Sequence, residues 1–120
     1  MDPYEKNLGL SVMQRPITGI FWEALSASGA VTELLRVGFP DTDVYAVGVL
    51  IGSAPDLSDF LANLDIPATD AIYFNDCFQD GAVLLIIRIR TPRDKRRAVR
   101  AILRHGGILP PSYEVLSTAV

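Results

Sequence analysis

Residues 81–107 read GAVLLIIRIRTPRDKRRAVRAILRHGG, and their order of signals decides the fold. Ala82 to Ile89 is an almost unbroken run of Val, Leu and Ile, strand-sized and bounded by Gly81. A strand that apolar is covered on both faces or sits centrally in its sheet. Thr91-Pro92-Arg93-Asp94 then supplies a capping hydroxyl, a proline in the first turn and a carboxylate three residues on, the pattern of a helix start. The helix is expected to run to His105, where Gly106-Gly107 stops it. Eight of the eleven Lys and Arg residues lie between Arg88 and Arg104. Residues 1–80 carry twelve acids against three bases, whereas residues 81–120 are basic, so a net charge of −3 hides a dipolar chain.

Moving outward, 120 residues suit one domain with a modest core. A hydrophobic content of 49% and a charged content of 21% read as ordinary globular material, slightly rich in apolar groups. No apolar run reaches the ~20 residues that span a bilayer, so no membrane partner is expected. The opening Met-Asp-Pro lacks a basic region followed by an apolar one, and no secretory signal is expected. One cysteine leaves no internal disulfide, which fits a reducing, cytoplasmic location.

Residues 1–15 show no periodicity and read as a flexible N-terminal arm, leaving 16–120 as a single domain. Ile17, Gly19 and Phe21 alternate with Thr18, Ile20 and Trp22, a short strand with both faces largely apolar. Ser26 or Ser28 can cap a helix whose inner positions are Ala30, Val31, Leu34 and Leu35, with Glu33 and Arg36 facing out. Gly38-Phe39-Pro40 ends it, Gly38 in a left-handed conformation and Phe39 folding back. A second strand is expected over Val44 to Ile51. Ser53-Ala54-Pro55-Asp56 starts a helix with Leu57, Phe60, Leu61 and Leu64 inside, and Thr69 or Asp70 opens another ending at Gly81. A last edge strand is expected over Tyr113 to Leu116. Without the helical insertion between the second and third strands, the order is βαββαβ. That is the α+β ferredoxin-like plait, an antiparallel sheet with helices on one face.

Several of these positions together resemble a family. Phe21, an apolar helix ending in Leu34 and Arg36-Val37-Gly38-Phe39-Pro40, and Asp41-Thr42-Asp43-Val44 behind it look like the first half of a family of small bacterial general-stress domains, typified by the heat-induced stress protein YflT. Asp65-Ile66-Pro67, Ala71, Phe74, Gly81, Val83 to Ile89 and Arg104-His105-Gly106 follow in the order of its second half. The resemblance covers about residues 17–107 and rests on fold-forming positions. The family's long Gly- and Ala-rich segment is absent, and its acids after the first strand are reduced to Glu23. The resemblance implies a stress-associated accessory protein, with no reaction and no catalytic residues to carry over.

The candidate site is a basic stripe. At 100° per residue Arg93, Arg97, Arg100 and Arg104 share one side of the last helix with Arg96 beside them, and Ala98, Val99, Ile102 and Leu103 take the other. Arg104 complements the negative end of the helix dipole, but Arg93, Arg96 and Arg97 oppose the positive end, so the dipole does not explain the stripe. A solvated face is its simplest account; an acidic protein partner comes next. Nucleic acid is disfavoured, because plaits that read single strands stack bases on sheet aromatics and Ala82 to Arg90 has none.

Cys77 and His105 are the only soft ligands, too few for a zinc site, and they read as a buried apolar thiol and a helix-end residue. The run Asp56, Asp59, Asp65, Asp70, Asp76 and Asp80 has no intervening base and no calcium-loop spacing. Gly48 and Gly52 lack phosphate-loop spacing. No cofactor, metal or catalytic residue is therefore expected, and the chain reads as a non-enzyme. A ligand-sensing plait is the alternative, with Trp22 to Gly29 as the pocket edge. If helices cover one sheet face only, the apolar Val83, Leu84, Leu85, Ile86 and Ile87 leave an exposed patch, and a homodimer through it is expected.

Overall fold

The computed structural model describes residues 15–48 and 55–112. The expected arm over 1–15 falls outside it except for Arg15, as do all of residues 49–54, with the end of the second strand expected over Val44 to Ile51, and the expected strand Tyr113 to Leu116. The elements are β1 (Ile17–Phe21), α1 (Ala24–Arg36), β2 (Val44–Val47), α2 (Ser58–Asn63), α3 (Ala68–Gln79), β3 (Val83–Ile87) and α4 (Pro92–Arg104), with a 3₁₀ turn at Asp41–Asp43 before β2.

The apolar run is the middle strand of the antiparallel sheet, which has the order β1-β3-β2 among the described residues. Ile17 pairs with Ile87 and Phe21 with Val83 on one side, and Val44 with Ile87 and Val47 with Leu84 on the other. Three strands are formed among the described residues, and the fourth strand of the expected plait, Tyr113 to Leu116, lies outside them. On the free edge of β1 a single bridge joins Ile20 to Ile108, held by reciprocal N–H···O bonds of 2.8 and 2.9 Å.

Strand alternation sends β3 side chains into two cores. Leu85 and Ile87, with Val83 beside them, join Phe21, Ala30, Leu34, Ala98, Ala101 and Ile102 under α1 and α4. Leu84 and Ile86 join Ile20, Leu61, Phe74 and Phe78 under α2 and α3. Helices therefore lie on both faces of the sheet. This overturns the one-sided layering expected from the sequence, and with it the argument for a homodimer through an open sheet. Leu84, Leu85, Ile86 and Ile87 are each at most 2% exposed and Val83 is half-buried, all within one chain. The insertion between the second and third strands forms the second covering layer, so among the described residues neither face of the sheet is left open.

The last helix settles unusually close to β1. A Cβ at Gly19 would lie 2.9 Å from Cγ1, Cγ2 and Cδ1 of Ile102, and one at Gly107 would lie 2.7 Å from Ile102 Cγ2 and Phe21 Cζ. Two glycines thus form the slot that accepts this fully buried side chain.

The four helices whose C-terminal ends lie among the described residues close in the same way. After α1, Gly38 N–H donates to Leu35 O and Phe39 N–H to Leu34 O, and the Gly38 φ is 109°. That is the Schellman pair, and Phe39 folds back onto Leu34 as the sequence predicts. After α2, Asp65 occupies the equivalent position with φ 62°, tolerated because a short polar side chain accepts left-handed backbone better than most.

Helix starts are less legible. α1 begins at Ala24, not at Ser26 or Ser28, because its buried stripe starts a turn earlier, at Ala27. α2 begins at Ser58, where the Asp56 carboxylate accepts the Ser58 N–H at 2.8 Å. Leu57 and Leu61 face inward as expected, but Phe60 is 43% exposed.

Candidate functional site

The arginine stripe is built on a helix whose start matches its sequence. Thr91 Oγ1 accepts the Asp94 N–H at 3.1 Å, Pro92 occupies the first turn, and Asp94 Oδ2 accepts the Arg90 N–H at 3.2 Å. Ala98, Ala101 and Ile102 bury the inner side of α4, which fixes where its arginines point.

The structure divides the five candidate arginines into two groups. Arg97 and Arg104 lean toward α1: Arg97 donates to Val37 O at 3.2 Å, satisfying a carbonyl at the end of that helix, and Arg104 donates to Glu33 Oε2 at 3.1 Å. Arg93, Arg96 and Arg100 are exposed and make no hydrogen bond or ion pair with any other described residue. Leu103, expected on the buried side, is 55% exposed, because the packed stripe centres on Ala98 and leaves Leu103 beside Arg96 and Arg100 on the outer side. Val99 is half-buried between them. An open hollow of about 640 Å³ lies over Arg96, Val99, Arg100, Leu103 and Arg104. Among the described residues its lining comes from one helix, which suits surface contact better than enclosure of a small molecule.

Glu33 is the residue that the sequence reading misplaced. Expected to face solvent, it is only 15% exposed and sits between two groups of α4, with Arg104 on one oxygen and His105 Nε2 3.0 Å from the other. Gly29, one turn earlier on α1, makes room for the imidazole: a Cβ there would come within 2.8 Å of His105 Nδ1. The Gly29-x-x-x-Glu33 spacing was the available signal, since it puts a hole and a carboxylate on one flank of the helix.

A second charged pair braces the far end of the sheet. Asp43, 2% exposed, receives Arg90 Nε at 2.8 Å and an Arg90 terminal nitrogen at 3.1 Å, a bidentate fork. Arg88 N–H also donates to Asp43 O at 2.8 Å, tying the 3₁₀ turn to the end of β3. The Arg90 hydrogen bond holds the Asp43 carboxyl below its usual range, outweighing the opposing effect of burial. Nothing in the sequence distinguishes Asp43 from its neighbour Asp41, which stays exposed.

The remaining candidates separate. Cys77 is buried beneath α3 and His105 lies against α1, so the sheet stands between them. Burial pushes the Cys77 thiol up, against a hydrogen bond from Tyr73. Asp70, unlike the other acids of its run, is buried, and it accepts the N–H and hydroxyl of Ser112. Asp56, Asp59, Asp65, Asp76 and Asp80 are exposed on the α2–α3 layer. Among the described residues no three His, Cys, Asp or Glu side chains gather to hold a metal ion. Likewise, no helix there is long and apolar enough to cross a membrane. Trp22 and Glu23 are the only loop residues of the pocket edge suggested for a ligand sensor, because helix α1 takes up the rest.

No family model matches the chain, and no curated protein or solved structure was found to match it.

Proposed function

We propose that this domain is a non-catalytic binding module, of the bacterial general-stress kind its sequence resembles, that presents the outer face of α4 to an acidic protein surface in the cytoplasm. One observation carries the reading: Arg93, Arg96 and Arg100 stand exposed with no partner among the described residues, while Arg97 and Arg104 are committed to α1. Arg96 and Arg100 flank an exposed Leu103 and Arg93 extends the row toward the helix start, a mixed basic and apolar surface, and arginine is enriched where proteins meet. Helices over both sheet faces leave no open sheet on which bases could stack, which favours a protein over single-stranded nucleic acid. The bridge of Ile108 to the β1 edge supports reading the sheet as a ferredoxin-like plait, with the α2–α3 insertion as its added layer.

The test is fluorescence anisotropy with two labelled probes of equal charge, polyglutamate and a single-stranded oligonucleotide. Polyglutamate should bind the parent and lose at least tenfold in affinity to a variant with Arg93, Arg96 and Arg100 replaced by Gln. Preference for the oligonucleotide, or binding that survives the substitutions, would refute the reading.

A further inference from the structure

The exposed acids of the α2–α3 layer are the natural counterpart of the basic face, and the fold keeps the two apart. α4 carries Arg93, Lys95, Arg96, Arg97, Arg100 and Arg104 against the single acid Asp94. Residues 55–87 hold six aspartates and no Lys, Arg or His. The two helical layers sit on opposite faces of the sheet, so these charges cannot meet within one chain.

The centres of the two outer faces also match in kind. On α3 the core takes Ala71, Phe74, Cys77 and Phe78. Ile72 is left 64% exposed one turn from Asp76, with Asp80 a turn further on. On α4, Leu103 is 55% exposed beside Arg96 and Arg100. Each helix thus shows one bare aliphatic side chain among charges of a single sign, and the signs are opposite. Helices of 12 and 13 residues are about 18 and 20 Å long, so the faces are also matched in length.

We infer that the chain self-associates head to tail, the arginine face of α4 in one copy seating on the Ile72–Asp76 face of α3 in the next. The inference rests on the binding role proposed for α4 and names its partner, a second copy of the chain. A two-fold dimer buries the same patch on both subunits, and patches on opposite sides of the molecule cannot both enter one such interface. The contact is therefore heterologous, growing as a chain or closing as a ring. A pair of short helices buries less than the ~1,200 Å² that marks stable complexes, so association is weak. Exposed charges are screened by salt, so it is also salt-sensitive.

Sedimentation velocity on the full chain, over a series reaching about 1 mM, the weak end of specific binding, tests this. At ~0.01 M salt, where the Debye length is about 30 Å, the average mass should rise with concentration and pass the dimer; at ~1 M salt it should return to monomer. An Arg96→Glu, Arg100→Glu variant and an Asp76→Arg, Asp80→Arg variant should each be monomeric alone. Mixed, they should associate again, because each then offers the face that the other lacks. A parent that stays monomeric at low salt, a variant that still associates, or a mixture that does not recover overturns the inference. Polyglutamate anisotropy on the same samples separates the two readings. A monomeric parent that binds polyglutamate through its arginines overturns self-association alone, and one that binds neither overturns the binding role as well.

Discussion

Replacing Gly19 by Ala changes one methyl group, yet it should destabilise the domain, and the sign should reverse when Ile102 is shortened. A Cβ at Gly19 would stand 2.9 Å from three carbons of Ile102, well inside van der Waals contact. Ile102 is fully buried, β-branched and on a helix, so it has little rotameric freedom with which to retreat. Overpacking of this kind costs about 1–3 kcal/mol, while Ala in place of Gly within a strand recovers roughly 0.5–1 kcal/mol. The net expectation is a loss of about 1–2 kcal/mol, a fall of ~5–10 °C in Tm for a domain near this size.

Ile102→Ala alone should cost about 2–5 kcal/mol through its cavity. It also removes all three contacting carbons. In that background Gly19→Ala should stabilise by ~1 kcal/mol, combining the strand preference with a methyl buried in the cavity. The double-mutant cycle should therefore close with a coupling of about 2–3 kcal/mol, at the upper end for residues in contact. Urea denaturation of the four proteins, read as midpoints at constant slope, measures it. A neutral or stabilising Gly19→Ala in the parent would refute the slot, and so would additive effects.

Two further outcomes follow from the backbone and from the buried carboxylate. Gly38→Ala should cost about 1–2 kcal/mol and Gly38→Val more, purely through positive φ, because a Cβ there meets nothing within 4 Å; an unchanged denaturation midpoint would remove the left-handed cap. Asp43 has a lowered folded pKa, so its contribution is fully present above the unfolded value of about 3.9 and is lost as pH falls through the folded value. Urea midpoints of the parent and an Arg90→Gln variant should accordingly converge between roughly pH 5 and pH 2, and parallel curves would show that the fork does not hold the Asp43 carboxyl down.

The parts of the fold that the sequence announced are those decided by local chemistry. Gly38, Gly81 and Gly106 mark three helix ends because a glycine at positive φ leaves few alternatives. Thr91 to Asp94 marks a start because its cap, proline and carboxylate agree. The central place of β3 followed from an apolar run without alternation. Layering was not local. Whether α2 and α3 form a peripheral insertion or a second cover depends on Leu61, Phe74 and Phe78 finding Leu84 and Ile86 across the sheet. Their periodicity says only that they have an inner side, not which face of the sheet receives it. Glu33 was missed for the same reason: its partners, Arg104 and His105, are some seventy residues away, and they become neighbours only once α1 and α4 pack.

The second cover also changes what the charge asymmetry means. With one bare sheet face, the apolar patch would have dominated association, leaving the arginines to adjust solubility. With both faces covered, the large apolar side chains left exposed among the described residues include Leu103 and Ile72, each set among charges of one sign. The covering layer holds the acids, so the helices that close the sheet also place negative charge opposite the positive charge of α4. Burying the sheet and polarising the molecule are thus one structural event. The self-association inferred for this surface would accordingly be weak, oriented and salt-dependent rather than greasy and obligate.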